Sequence, residues 1–509
     1  MAGALVLEPS ARAVEDEVVA LLTAHLRRFL DAEVDARAID RQGAIPRSVR
    51  DGLARLGLFG ITIPATHGGA GLSLGSACRI VSEIAKTDRS IAILVGLHAG
   101  LGTRGLVELG SPALRARWLP RLASGDCIAS FAATEAGAGS ALGEIRTTGR
   151  LADGLIRLDG EKSYVTNGGF AGLFTVLART PGLGGARGHS LVCVPAGAPG
   201  VTIGPEEHKL GIRGSSTVTV TFDDVRVTLE DVLGRPGEGM EHAHGLLAWG
   251  RTLMSAGCVG AARAALESTV AHVLRRRQFG RAVGDFGASR AHVAWMAART
   301  CAMEALVRSV SEAHAGGEAI EVSSTIAKVF CSEGAFEVCD RAVQLHGALG
   351  FLEDTGVPRL LRDTRITRIF EGANDVLLVR LGAAVLGGWR AAPMRAPALE
   401  AVPRAEQLRI EALERALQTE AARIRDRFGV AAVRRQLTLQ RLARALVCLR
   451  AARAVIEHGR PDDAMVARHA VEALGHEASS WLARVGRAGS DEHAACEVTD
   501  RIYGADQRR

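Results

Sequence analysis

The sequence predicts a mainly α-helical protein with a β-rich segment in its middle and a further helical extension at its C-terminal end, on three observations. Apolar residues recur at helical spacing through the first part of the chain. The period changes to strict alternation between about 126 and 235 and returns to helical spacing from 240 to 388. A Pro/Ala-rich stretch, PMRAPALEAVP (393–403), then sets off a last helical region. These changes place an N-terminal helical domain over 1–125, a central β domain, barrel or sheet, over 126–236 and a helical bundle over 237–390. A linker over 391–403 and a C-terminal helical domain over 404–509 follow.

In chain order, Val18, Leu21, Leu22, Leu26 and Phe29, then Val49, Leu53 and Leu56, mark two helices within 12–58, separated by the polar DRQGAIPRS. The Gly-rich PATHGGAGLS (64–73) turns the chain into a helix over 76–87. Next comes a run of small apolar residues holding one GxGxxG, at Gly100, Gly102 and Gly105. A dinucleotide site needs a helix of useful length after those glycines, and here only Leu106 to Leu109 precede the Gly110-Ser111-Pro112 stop. The glycines therefore predict close helix packing. In STVTVTF, Val218, Val220 and Phe222 face one way and Thr217, Thr219 and Thr221 the other, as on a half-buried strand. LIRLDG, LFTVLA and SLVCVP are further strand candidates between Gly and Pro turns. Leading into and through RDTRITRIFEGANDVLLVRLG (362–382), Leu360, Leu361, Ile366, Ile369 and Phe370 keep helical spacing up to a break at Gly372. Asn374 is placed to cap a new helix whose apolar face is Val376, Leu377, Leu381 and Val385. The break presents a single carboxylate, Glu371, beside a glycine that lets a flat ligand approach closely.

Composition narrows the function classes. A length of 509 residues with 47% hydrophobic content supports a large core. The net charge of +6 is small for that length, and of 62 basic residues only 4 are Lys, leaving 58 Arg, so no nucleic-acid partner is implied. Nine cysteines form no CxxC pair and no metal-ligand spacing, which predicts reduced, buried thiols and no metal site. The N-terminus has no basic export or transit pattern, and no apolar run reaches the roughly 18 residues of a membrane span, so the expected location is cytoplasmic. Residues 421–456 carry nine Arg against one acidic residue, Asp426. Peripheral membrane contact is one reading. Arg stems packed over an apolar helix pair are the favoured one.

Four polar or Gly-rich segments exceed what packing needs: FAATEAGAGS (131–140), KSYVTNGG (162–169), RRRQFG (275–280) and QLHGALG (344–350). Hydroxyls beside glycine suit the polar edge of a ring, and Arg beside an aromatic suits a pyrophosphate and a base. With IFEGAND after them, these segments in this order resemble the FAD-dependent acyl-CoA dehydrogenase family over about residues 45–388. FLEDTGVPRLLRDTRITRIFEGANDVLL and, in the tail, RRQLTLQRLARALVCLRAA (434–452) are most similar to its very-long-chain branch, which carries an extra C-terminal helical domain.

The resemblance implies a fold, a cofactor and a set of roles. Glu371 matches the carboxylate that removes the α-proton of an acyl-CoA thioester while the β-hydrogen leaves as hydride to the flavin, giving a trans-2-enoyl-CoA. Thr134, Thr166 and Tyr164 match residues at the flavin ring, and Ser140 a phosphate-side serine that also borders the substrate. Arg277, Phe279, Gln344 and Gly347 match segments that reach the ADP half of FAD from a neighbouring subunit, which implies a homodimer. Arg251, Phe370 and Gly372 are expected beside the substrate, and Gly250 stands where isovaleryl-type members carry their base. Electron-transferring flavoprotein is the implied acceptor and a medium-to-long acyl chain the implied substrate. Ala141, Ala348 and Ala373 depart from the family's Asp, Gly and Thr. Two alternatives stand beside this reading: a secondary-metabolism dehydrogenase acting on a carrier-protein-bound or unusual acyl group, and an assembly subunit without flavin.

Overall fold

The structure is a computed structural model that describes residues 9–183, 188–390, 394, 402–485 and 499. Its N-terminal part is α1 (Pro9–Glu33), α2 (Ala36–Gln42), α3 (Arg47–Arg55), α4 (Leu74–Thr87), α5 (Arg89–Leu97), α6 (Arg104–Leu109) and α7 (Pro112–Ser124). The stretch read as two helices within 12–58 holds three. Asp35 accepts from Arg37 N and Ala38 N, each at 3.0 Å, and so starts α2, which runs into the expected linker. Downstream, Ser73 caps α4 by accepting from Ser76 N at 3.3 Å.

The GxGxxG segment packs closely, without a nucleotide-type helix start. A Cβ on Gly100 would sit 3.0 Å from Leu253, and one on Gly102 would overlap Ala129 of the sheet at 2.9 Å. Arg89–Leu109 is one helical run long and apolar enough to span a membrane, which corrects the expectation that no stretch reaches that length. Burial of 83% of its most apolar window inside the protein accounts for that composition as core. His98 in this run is buried and neutral: Nδ1 accepts from Ala129 N at 3.0 Å, and burial pulls its pKa down to about 4.

The middle is one sheet of β1 (Ile128–Ala132), β2 (Thr148–Ala152), β3 (Leu155–Thr166), β4 (Ala171–Arg179), β5 (His189–Pro195), β6 (Val201–Glu206), β7 (Thr217–Thr228) and β8 (Val232–Leu233). The strands run in the order β6-β7-β3-β2-β4-β5-β8, with β1 parallel to β4 at one side. Val218, Val220 and Phe222 of β7 point into a core shared with Phe174 and Val176, as the alternation requires.

The chain then returns to helices: α8 (Gly239–Arg275), a small hairpin of β9 (Arg277–Gln278) and β10 (Arg281–Ala282), α9 (Gly287–Ala315), α10 (Glu321–His346), α11 (Ala348–Phe351), α12 (Val357–Arg365) and α13 (Asn374–Leu386). The last three, α14 (Arg404–Phe428), α15 (Gln436–His458) and α16 (Ala464–Val485), share the apolar core of the others, with Leu26, Leu253, Cys331 and Leu442 in one cluster. Gly382 of α13 permits that approach, since a Cβ there would overlap the Leu439 backbone of α15. Much of the arginine-rich segment is engaged by the protein itself. Arg425 donates to Leu386 O, Arg441 to Arg484 O at 2.7 Å and Arg453 to Glu457 at 2.9 Å, and Arg444 stacks on Trp481. The eight cysteines among the described residues are free thiols; Cys496 lies outside them.

Candidate active site

Glu371 sits in the break between α12 and α13 with φ 55°, followed by Gly372 at φ 104°. A positive φ is costly for a residue with a side chain, so surrounding contacts must hold it. Three side chains do so. Arg251 of α8 donates from Nε to Glu371 O at 3.0 Å and from Nη1 to Thr325 at 3.1 Å. Lys328 of α10 donates to Gly372 O and to Asn374 Oδ1, each at 2.7 Å. Asn374 in turn donates to Ser332 at 2.9 Å and to Glu333 at 2.8 Å. The expected capping role of Asn374 is thus corrected. Its side chain is drawn inward by Lys328, and Ala373 stands at the N-cap with no side-chain acceptor.

The Glu371 carboxylate faces a cavity of about 910 Å³. Its Oε2 is buried without a hydrogen-bond partner among the described residues. Burial raises its pKa to about 7, against the pull of Arg251 and Lys328. A carboxyl group in that state gains or loses a proton near neutral pH, as a general base must. Gly250 makes room for it: a Cβ there would lie 3.3 Å from Oε2. The Glu371 N–H forms no hydrogen bond with another described residue, so a donor stays free beside the carboxylate.

The opposite wall comes from the ends of β1 and β3. Ser163 N donates to Thr134 O at 2.9 Å, and Ser130 donates to Thr166 O at 2.5 Å, which sets the two motifs side by side. Beneath them lies a buried ion pair. Lys162 donates to Glu135 at 2.8 Å, and Glu135 also accepts from Thr147 Oγ1 at 2.6 Å. Burial opposes the charge on Glu135, but these hydrogen bonds outweigh it and hold the carboxylate down to about 2. The Thr134 and Thr166 hydroxyls form no hydrogen bond with other described residues and line the same cavity as Glu371. Two free hydroxyls, one just past the end of β1 and one at the end of β3, suit the polar edge of a flat heterocycle.

Of the residues expected at the site, Glu371, Thr134, Ser140, Tyr164, Thr166, Arg251, Phe370 and Gly372 all line this cavity. Arg277, Phe279, Gln344 and Gly347 do not. They lie exposed at the ends of α8 and α10, which meet where His272 stacks on His346 at 4.4 Å, and Phe279 is 93% exposed. Sequence reasoning missed Lys328 and the Glu135–Lys162 pair. A signal was present in the lysine scarcity, because Lys162 and Lys328, two of only four lysines in an arginine-rich chain, are both fully buried here. A compact ammonium fits where a guanidinium fork does not.

Three family models match consecutive parts of the chain: acyl-CoA dehydrogenase N-terminal domain over 16–126, middle domain over 130–225 and C-terminal domain over 237–386. The human very long-chain specific acyl-CoA dehydrogenase, mitochondrial, is 36% identical over 368 residues, covering 71% of this chain. This chain spans only about half that relative's length, 56% of it. An acyl-CoA dehydrogenase of Bacillus subtilis is 33% identical over 353 residues, covering 69% of this chain and 93% of its own. The crystal structure of an acyl-CoA dehydrogenase complexed with FAD from Bacillus anthracis superposes with a TM-score of 0.82 at 25% identity, covering 92% of this chain and 88% of its own.

Proposed function

This chain belongs to the acyl-CoA dehydrogenase family, and from that premise we propose that it dehydrogenates acyl-CoA thioesters to trans-2-enoyl-CoA with FAD, passing electrons to an electron-transferring flavoprotein. The observation that carries the proposal is the unpartnered Oε2 of Glu371 facing the same cavity as the two free hydroxyls of Thr134 and Thr166. FAD, when bound, supplies the acceptor for the β-hydrogen, which leaves as hydride.

Glu371 takes the α-proton. At a pKa of about 7 its anion is abundant at neutral pH yet basic enough to accept. Its own N–H, free of partners among the described residues, is the donor proposed for the thioester carbonyl, which acidifies the α-carbon. Arg251 and Lys328 keep the break in its strained form, so the carboxylate and that N–H stay oriented together. Thr134, Thr166, Tyr164 and Ser140 are the residues of this wall that would hold the flavin.

The apolar lining, including Ile93, Leu97, Leu253 and Met254, supports an acyl chain of medium or greater length. Arg277, Phe279, Gln344 and Gly347 are proposed to serve the ADP half of FAD in a second copy, making the working form a homodimer. Phe351 and Leu274, 83% and 66% exposed, add apolar surface beyond what one chain covers. The test is the visible spectrum of purified protein. A flavin band that bleaches on adding palmitoyl-CoA supports the proposal, and colourless protein that cannot be reconstituted with FAD refutes it.

A further inference from the structure

Two glycines on one face of α8 mark the ends of a length of the cavity. A Cβ on Gly250 would lie 3.3 Å from Glu371 Oε2, and one on Gly257 would overlap the guanidinium of Arg89. Seven residues are two helical turns, so these points lie about 10 Å apart on the same side of the helix. The cavity wall along that length is apolar: Leu253 and Met254 from α8, and Ala92, Ile93 and Gly96 from α5.

Arg89 lines this cavity and is 1% exposed. Its Nε and Nη2 have no hydrogen-bond partner among the described residues. The adjacent Asp88 is engaged elsewhere: it accepts from Ile91 N at 2.9 Å and pairs with Arg359 at 3.2 Å. The guanidinium also hydrogen-bonds the Cys258 thiol, a neutral partner whose pKa burial raises. Buried charges in proteins are paired, because an isolated one loses its hydration with nothing in return. A cationic fork without a counter-ion among the described residues, at the end of an apolar passage whose other end is the reacting carbon, lacks one thing: an anion carried by the substrate.

We propose that Arg89 receives a carboxylate at the far end of the acyl chain, so that the substrate is the CoA monothioester of a medium-length dicarboxylic acid. This rests on the reading of Glu371 and its cavity given above. The guanidinium offers a carboxylate two parallel N–H donors, the geometry in which Arg and carboxylate pair most strongly. A methyl-ended chain of the same length leaves that charge unpaired.

The test uses the holoenzyme and CoA thioethers, which bind but cannot be dehydrogenated, in adipyl, suberyl and sebacyl lengths with either a carboxylate or a methyl at the far end. Titration calorimetry on the wild type is expected to show the carboxylate-ended ligand of best length binding about ten- to a hundredfold more tightly, the contribution of one charge-assisted pair. Arg89→Leu is expected to reverse that order, and Arg89→Lys to retain part of it. Equal or tighter wild-type binding of the methyl-ended ligand overturns the proposal, as does a wild-type ratio in folded Arg89→Leu. If Arg89→Leu does not fold, the wild-type ratio decides alone. Because these ligands do not react, carboxylate selectivity without turnover of suberyl- or octanoyl-CoA would count against the dehydrogenase reading and leave the Arg89 assignment standing.

Discussion

Replacing Lys328 by Met separates the clamp around Glu371 from its chemistry. The ammonium donates to Gly372 O and Asn374 Oδ1, both at 2.7 Å, and its charge is one of the two that pull the Glu371 pKa down against burial. The variant keeps the bulk of the chain but removes both bonds and the charge. One buried and one part-buried acceptor then lose a charged donor, a cost of about 3 kcal/mol to folding. The Glu371 pKa also rises above its present value of about 7, each further unit corresponding to about 1.4 kcal/mol. Two measurements follow: urea unfolding of the holoenzyme, and kcat/KM against pH. The acid limb of the profile is expected to move to higher pH, with the largest loss below neutrality and partial recovery in alkali. Lys328→Arg, which keeps the charge but not the fit, is expected to lose stability with a smaller displacement of that limb. A folded Lys328→Met enzyme whose acid limb coincides with that of the wild type would refute the reasoning.

Other predictions rest on separate contacts. Glu135 is held down at about 2 by Lys162 and Thr147, so its contribution to stability is full above its ordinary value and is lost as pH falls through about 2. Glu135→Gln, which leaves Lys162 buried and uncompensated, is expected to lower stability by about 3 kcal/mol at pH 7 in urea titrations. That gap should narrow on acidification; a gap constant down to pH 2 would contradict the assignment. Gly250→Ala places a methyl 2.9 Å from Leu101 and 3.3 Å from Glu371 Oε2, and is expected to cut kcat/KM about tenfold with an unchanged circular dichroism spectrum. Wild-type kinetics in that variant would show that the carboxylate does not occupy this place.

Much of the fold was legible because its periods are strong. The alternation at Val218, Val220 and Phe222 and the helical spacing around Leu253 need no tertiary information. Glu371 was legible only with the rest of the chain: a loop carboxylate before Gly is usually solvated, and it was the order of the motifs ending in IFEGAND that singled it out. What failed depended on contacts distant in sequence. Asn374 reads as a cap from its neighbours alone, yet Lys328, 46 positions away, turns its side chain inward. Arg89–Leu109 reads as a small-residue run, but only the folded chain shows it enclosed by α8 and the sheet. Arg89 carried no signal among 62 basic residues, since nothing in its neighbourhood foretells a guanidinium with unpaired nitrogens inside the protein.

The most direct measurement is single-turnover reduction of the flavin by octanoyl-CoA and by suberyl-CoA in Glu371→Gln, at pH 8, beside the wild type. The amide fills the same space but cannot accept a proton, so flavin content and thioether binding should persist while the bleaching rate falls by about two to four orders of magnitude. A Gln variant that bleaches as fast as the wild type with either substrate would mean that another group removes the α-proton.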